Sequence, residues 1–243
     1  MKNQATLSRR AALAIMAGAV AAPHAGKAAT AEAPVLVELF TSQGCASCPP
    51  ADAFAGELAR NPLNFVVSLN VDYWDYLGWH DTLARPEFSK RQFDYGKSRG
   101  DMQVYTPQMV MNGHYHAVGS DPTEVRKFIS ECREEGLKAE IDLTVSSKEV
   151  KVSIAAQPFQ GEATLWLMAF APEVQAAIER GENAGKTVTY HNVVRSMVPA
   201  ALWKGEAYSG SWMRDAVIPP DCTSCIAVLQ KDKTGQVIGL ARA

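Results

Sequence analysis

The chain has 243 residues, 24 basic and 26 acidic, with a formal net charge of −2 and 47% hydrophobic residues. A chain of that size buries one large core or two small ones. It carries no basic block, which excludes nucleic acid as an expected partner.

Lys2, Arg9 and Arg10 precede an apolar run from Ala11 to Ala22, and Ala29-Thr30-Ala31 supplies a small-x-small cleavage site. These features predict a secretory signal peptide over residues 1–31. The run is too short for a bilayer core, which needs about 20 residues. No later run reaches that length, so no integral membrane segment is expected after signal removal. Ser8-Arg9-Arg10 is similar to a twin-arginine signal. Losing residues 1–31 removes four basic and no acidic residues, taking the net charge from −2 to −6. The expected location is periplasmic or secreted.

Val35 to Phe40, VLVELF, reads as a buried strand. Cys45-Ala46-Ser47-Cys48 follows, then PPADAFAGELAR, a helix whose prolines fall in the first turn, where backbone donors lack partners anyway. Asn64 to Val71 is a second apolar strand. Two such strands joined through a helix predict a parallel pair. A Cys-x-x-Cys at a helix start sits beside unpaired N–H groups and the positive end of the helix dipole. An ordinary thiol of pKa ~8.5 is only about 3% thiolate at pH 7, and a shift of about two units makes thiolate the majority form. The dipole supplies about 0.3–1 kcal/mol. Hydrogen bonds must supply the rest, and Pro49 and Pro50 cannot donate.

The stretch DYWDYLGWHDTLARPEFSKRQFDYGKSRGD holds Tyr73, Trp74, Tyr76, Trp79 and His80, then a predicted helix from Pro86 to Tyr95. Its aromatics read mainly as core beneath a loop. Asp72, Asp75, His80 and Asp81 show no metal-ligand spacing. In MQVYTPQMVMNGHYHAVG, Asn112-Gly113 between two apolar runs predicts a hairpin. Thr106-Pro107 precedes it, and an X-Pro bond adopts the cis form at a cost of only about 0.5–1 kcal/mol.

This order of strand, Cys-x-x-Cys, helix, strand, helix, X-Pro and hairpin resembles the thioredoxin fold. FTSQGCASCPPAD, YWDYLGW, YTPQMVMNG and GENAGKTVTYHNVVR further resemble an uncharacterised family of secreted bacterial proteins with a thioredoxin-like domain. The resemblance implies a cis-proline beside the dithiol at Pro107, with Thr106 before it. It also implies a buried acid on the preceding strand, for which Glu38 is the candidate, either as proton acceptor for Cys48 or in a structural role, paired with a nearby base or facing solvent. Gly44 departs from the pattern, which places Trp before the first cysteine.

SDPTEVRKFISECREEG reads as a capped helix ending at Gly136. Val125, Phe128, Ile129 and Cys132 form its apolar stripe, so Cys132 reads as buried and inert. After residue 138 the period changes to alternation, at Ile141, Leu143 and Val145 and again at Val150, Val152 and Ile154. ATLWLMAF, TVTYHNVV, CIAVLQ and QVIGLA are further strands. The expected organisation is an α/β thioredoxin-like domain over 32–138 and a mostly β, sandwich-like domain over 139–243. ERGENAGKT is a polar loop near the domain interface; its glycines lack phosphate-loop spacing.

Cys222-Thr223-Ser224-Cys225 leads into a strand with no helix behind it. A structural disulfide is the first reading; redox exchange with Cys45-Cys48 and a four-cysteine zinc site are the others. The leading function is an exported thiol-disulfide oxidoreductase. Cys45 attacks, Cys48 resolves, and the partners are a protein or small thiol/disulfide substrate and a redox partner, with no cofactor. The alternatives are a non-catalytic binding scaffold and a Cu(I)-handling dithiol.

Overall fold

The structure is a computed structural model that describes residues 32–243; the predicted signal peptide lies outside them. Residues Glu32–Ala243 form one compact unit. Strand β1 (Val35–Thr41) runs through the Cys45–Cys48 loop into helix α1 (Pro49–Leu58) and then β2 (Asn64–Asn70). β1 and β2 pair in parallel, Val35 opposite Asn64 through Thr41 opposite Asn70, as two apolar runs joined by a helix require. A short 3-10 turn and α2 (Pro86–Arg99) lead to the hairpin β3 (Gln108–Met111) and β4 (Tyr115–Val118), then to α3 (Pro122–Glu135). The Asp121 carboxylate caps α3, accepting from the N–H groups of Thr123 and Glu124; the sequence offers Ser120 or Asp121 for that role.

The chain continues through β5 (Ile141–Val145), β6 (Glu149–Ile154), the long hairpin β7 (Ala163–Ala177) and β8 (Thr187–Trp203), and β9 (Tyr208–Met213). A single turn, α4 (Arg214–Val217), precedes the closing hairpin β10 (Ser224–Lys231) and β11 (Val237–Arg242).

These strands correct the expected fold class. The α/β thioredoxin-like domain followed by a separate β sandwich does not form. The described chain is mostly β, with one mixed eight-stranded sheet ordered β11-β10-β7-β8-β2-β1-β3-β4 and a three-stranded sheet ordered β5-β6-β9. The physical reason lies at the outer edge of β2, whose backbone needs a partner. β8 supplies it in parallel, with Ser68 opposite Val193. Strands from before and after residue 138 therefore share one sheet.

The pleat sorts side chains onto two faces. Val35, Val37 and Leu39 of β1 pack with Ala51, Phe54, Ala55 and Leu58 of α1 and with Val125, Ile129 and Cys132 of α3. Leu36 and Phe40 point the other way, into a cluster with Phe88 and Tyr95 of α2, Met168, Phe170, Val228 and Val237. The small sheet covers Leu165, Leu167, Ala227 and Leu229 with Val150, Val152 and Ile154. The large sheet curls around the second of these clusters until its far parts meet: Val237 N–H donates to the Asn112 carbonyl at 2.9 Å.

That meeting depends on the predicted Asn112-Gly113 turn, where both residues have positive φ, 44° and 75°. The Asn112 side chain accepts the Leu36 N–H at 2.9 Å. A Cβ on Gly113 would stand 1.9 Å from the Gly235 carbonyl oxygen. Gly113→Ala is therefore expected to cost roughly 2–4 kcal/mol, combining left-handed strain with overpacking. Gly100→Ala, at φ 80° with nothing within 4 Å of the added carbon, should cost only about 1–2 kcal/mol. Urea unfolding of the two variants checks this, and equal losses would remove the close approach as a cause.

Candidate functional site

Cys45 and Cys48 form a disulfide with Cα atoms 5.4 Å apart. The loop that holds it is wound by backbone bonds from Cys45 N–H to the Ser42 carbonyl and from Cys48 N–H to the Cys45 carbonyl, each 3.2 Å. Cys48 is the N-cap of α1 and Pro49 and Pro50 occupy its first turn. Because the prolines donate nothing, the Ser47 hydroxyl, 3.5 Å from the Cys45 sulfur, is the nearby side-chain donor. Cys45 is 1% and Cys48 0% exposed, whereas Ala46 and Ser47 between them are exposed.

The aromatic insert supports this loop. Gln43 is buried; its N–H donates to Asp81 Oδ2 at 2.8 Å, and its side-chain oxygen accepts from Trp79 Nε1 at 2.8 Å. Trp74 Nε1 donates to the Thr106 hydroxyl at 2.8 Å. Trp74 also explains Gly44, where a Cβ would lie 3.0 Å from the Trp74 Cβ. Thr106-Pro107 is cis. A Cβ built on Gly119 would lie 3.1 Å from Ala51 and 3.3 Å from Pro107, so Pro107 and the first turn of α1 flank one point. Trp74 thus ties Thr106 to the Cys45 loop, and Pro107 stands across from the helix start.

Glu38 lies elsewhere. It falls on the α2 face of β1, with Leu36 and Phe40, while α1 covers the opposite face. Its carboxylate takes Arg91 Nε at 2.6 Å and also the Tyr95 hydroxyl. Burial opposes the Arg91 charge, but the Glu38 carboxylate outweighs it and drives the guanidinium pKa further up. The pleat therefore places Glu38 in a buried ion pair, the second of the two roles the sequence allowed it.

The acid on the dithiol side is Asp52. It follows Cys48 by four residues, one turn along the same helix face, and is 2% exposed. The Thr41 hydroxyl donates to its Oδ1 at 2.7 Å, and its Oδ2 is buried without a partner. Burial pushes its pKa up to about 8, opposed by the Thr41 bond and reinforced by the Asp81 charge. Asp81 is likewise raised by burial, although Gln43, Asn70 and Leu83 donate to it. The sequence signal for Asp52 was an acid on the apolar stripe Ala51, Ala55 and Leu58.

ERGENAGKT, the β7–β8 connection, reaches the same loop. Asn183 Nδ2 donates to the carbonyls of Gln43 at 2.9 Å and Cys45 at 2.8 Å. Glu182 accepts the Ala46 N–H at 3.3 Å. Sequence reasoning identified the loop but neither residue.

Cys222 and Cys225 are free, buried thiols, not the expected bridge. The Cys222 thiol faces the Asp221 carboxylate at 3.9 Å and Cys225 faces the Ile226 carbonyl at 3.7 Å. Burial raises them to about 11 and about 12, and Cys132 to about 12. Among the described residues no three or more His, Cys, Asp or Glu gather to hold a metal ion, so the two cysteine pairs do not build a zinc site. No described helix is long and apolar enough to cross a membrane. A cavity of about 700 Å³ beside Arg91 and Trp166 lies on the α2 face, away from the dithiol.

Fold and site together define a β-rich protein with a sequestered disulfide at a helix start. The chain belongs to the family described as "Protein of unknown function (DUF1223)", which it matches over residues 36–230. It is similar to a crystal structure of an Agrobacterium tumefaciens protein, at 30% identity and a TM-score of 0.75, covering 87% of this chain and 94% of that one. HBP35 of Porphyromonas gingivalis shares the fold at 11% identity and a TM-score of 0.60, over 87% of this chain and 75% of that one. No curated protein matched.

Asp52 gives stability a pH dependence. Its folded pKa of about 8 exceeds the unfolded value of about 3.9, so the folded state binds the extra proton between them. Stability falls as pH rises through that window, and Asp81, also raised, adds to the fall. Asp52→Asn should flatten the loss between about pH 5 and 8, measured by urea unfolding of the oxidised protein. An unchanged slope would mean Asp52 is ionised when folded.

Proposed function

We propose that this protein is a thiol-disulfide oxidoreductase acting in an oxidising compartment outside the cytoplasm. The observation that carries the reading is the Cys45–Cys48 disulfide closed at the N-terminus of α1. The cis Thr106-Pro107 bond across from that turn and the buried Asp52 behind it add support.

In the reduced protein the Cys45 thiolate attacks one sulfur of a substrate disulfide. That S–S bond breaks, and the departing sulfur takes a proton from water. Cys48, its proton accepted by Asp52, then attacks the Cys45 sulfur and expels the second substrate thiol. The substrate gains two electrons and two protons, and the protein returns to its disulfide. A dithiol donor reduces it again by the same steps in reverse. Ser47 donates toward the Cys45 thiolate, compensating in part for the two prolines. An acid near pKa 8 is matched to proton transfer at neutral pH.

Turnover of a disulfide-linked fluorescent peptide, with dithiothreitol as donor, tests the proposal. Cys45→Ser and Cys48→Ser should fall to the uncatalysed background, while Cys222→Ala/Cys225→Ala keeps its turnover. Wild-type turnover by Cys45→Ser would refute it. Asp52→Asn should lose roughly 10²-fold at pH 7, together with the rise of rate through about pH 8. In the reduced protein Cys45 should be alkylated first near pH 7. Cys132, Cys222 and Cys225 have pKa values of about 11 to 12. Such thiols are thiolate at only about one part in 10⁴–10⁵ at neutral pH.

A further inference from the structure

The disulfide is too enclosed for a substrate to reach. A thiolate must approach along the S–S axis, yet both sulfur-bearing residues are at most 1% exposed. The β7–β8 turn is hydrogen-bonded to the loop that holds them. Residues 179–187 are exposed with one exception, Asn183, which is 0% exposed. An amide buried at the tip of a polar turn requires partners. Asn183 finds them in the backbone of the Cys45 loop, through the Gln43 and Cys45 carbonyls. Lys186 Nζ donates to its Oδ1 at 2.9 Å and fixes which way the amide points.

Glu182 makes the third link, to Ala46 N–H. That carboxylate stands beside the residue that carries the attacking sulfur. A thiolate on Cys45 and a carboxylate hydrogen-bonded to the next residue repel each other. The closed turn is therefore compatible with the disulfide and unfavourable to the thiolate. Gly181 and Gly185 flank the tip, both at φ 79°. A cleft of about 480 Å³ lies beyond it, between Pro49 and Ala53 of α1 and residues Lys186–Thr189 with His191.

We infer that the Glu179–Lys186 turn is a gate on the dithiol, latched by Asn183 and sensitive to the charge on Cys45 through Glu182. Asn183 is a positioning residue: it holds the Cys45 carbonyl and touches no substrate. Reduction of the disulfide places a negative charge beside Glu182, which loosens the turn and opens the sulfur to a substrate. Reoxidation removes the charge and the turn closes. The inference deepens the oxidoreductase reading and rests on it for its purpose, but its geometry is testable without turnover.

The test is the rate at which a water-soluble phosphine reduces the Cys45–Cys48 disulfide. Asn183→Ala should be reduced roughly tenfold faster, the effect of losing one or two net hydrogen bonds from the closed state, with unchanged circular dichroism. A folded Asn183→Ala variant reduced at the wild-type rate overturns the gate. Glu182→Gln should move the pH profile of Cys45 alkylation to lower pH, which a purely structural contact would not do; an unmoved profile overturns the charge link. Should Asn183→Ala fail to fold, amide exchange in the wild type decides. Residues 179–186 should exchange faster in the reduced than in the oxidised protein, and equal protection overturns the proposal. Accelerated reduction without peptide turnover would support the gate while removing the enzymatic function. Turnover with an unaffected reduction rate would do the reverse.

Discussion

The seam between β2 and β8 is the constraint on which the rest depends. Its backbone pairing is a single register pair, Ser68 opposite Val193. Side chains complete it. The Ser68 hydroxyl donates to the His191 carbonyl at 2.8 Å, and Asn192, at φ 51°, donates its side-chain amide to the Val66 carbonyl at 2.8 Å. Buried backbone groups that the ladder leaves unpaired are thus satisfied by side chains. Gly56, mid-helix in α1, has no side chain where a Cβ would lie 2.4 Å from the His191 ring. That helix position costs about 1 kcal/mol relative to Ala, and it lets β8 lie against α1. With β8 fixed there, the β7–β8 turn has no choice but to arrive at the Cys45 loop.

The two faces of the sheet hold different polar environments. On the α2 face, Glu38, Arg91, Tyr95 and Gln230 satisfy one another: Arg91 Nη1 donates to Gln230 at 3.1 Å. Such a buried pair is costly to break and says little about chemistry. Asp52 and Asp81 have no cation beside them, and burial raises the pKa of both. Two carboxyl groups within a few strands of each other thus serve opposite ends.

Local signals in the sequence were read well. The Asn112-Gly113 turn, the Asp121 cap, the Cys132 stripe and the strand-helix-strand around Cys45 each depend on residues within about one element of each other, where turn and capping chemistry act. The architecture was not legible, because a seam made of one backbone pair and two side-chain amide or hydroxyl bonds leaves no periodic trace. Strand length failed for a related reason. β7 and β8 run 15 and 17 residues, beyond the apolar runs that announced them. Their interiors carry Pro172, which has no register partner, and Pro199, which stands at the Leu165/Trp166 register shift, positions where the ladder needs no donor. Strand position alone does not say which face a helix will cover, so the sequence left Glu38 open between a catalytic role and the pairing with a base that Arg91 supplies. Asp52 stood in plain view, the fourth residue of a segment read for its prolines.

The chain has an odd number of cysteines, five, which in an oxidising medium invites covalent joining of one copy to another. Here every cysteine is at most 3% exposed. Two are spent on each other, and the remaining three are held as neutral thiols by their surroundings. The folded surface of the described residues therefore presents no cysteine sulfur to a neighbouring molecule. Burial that hinders access to the Cys45–Cys48 pair also keeps the remaining thiols from cross-linking one copy of the chain to another.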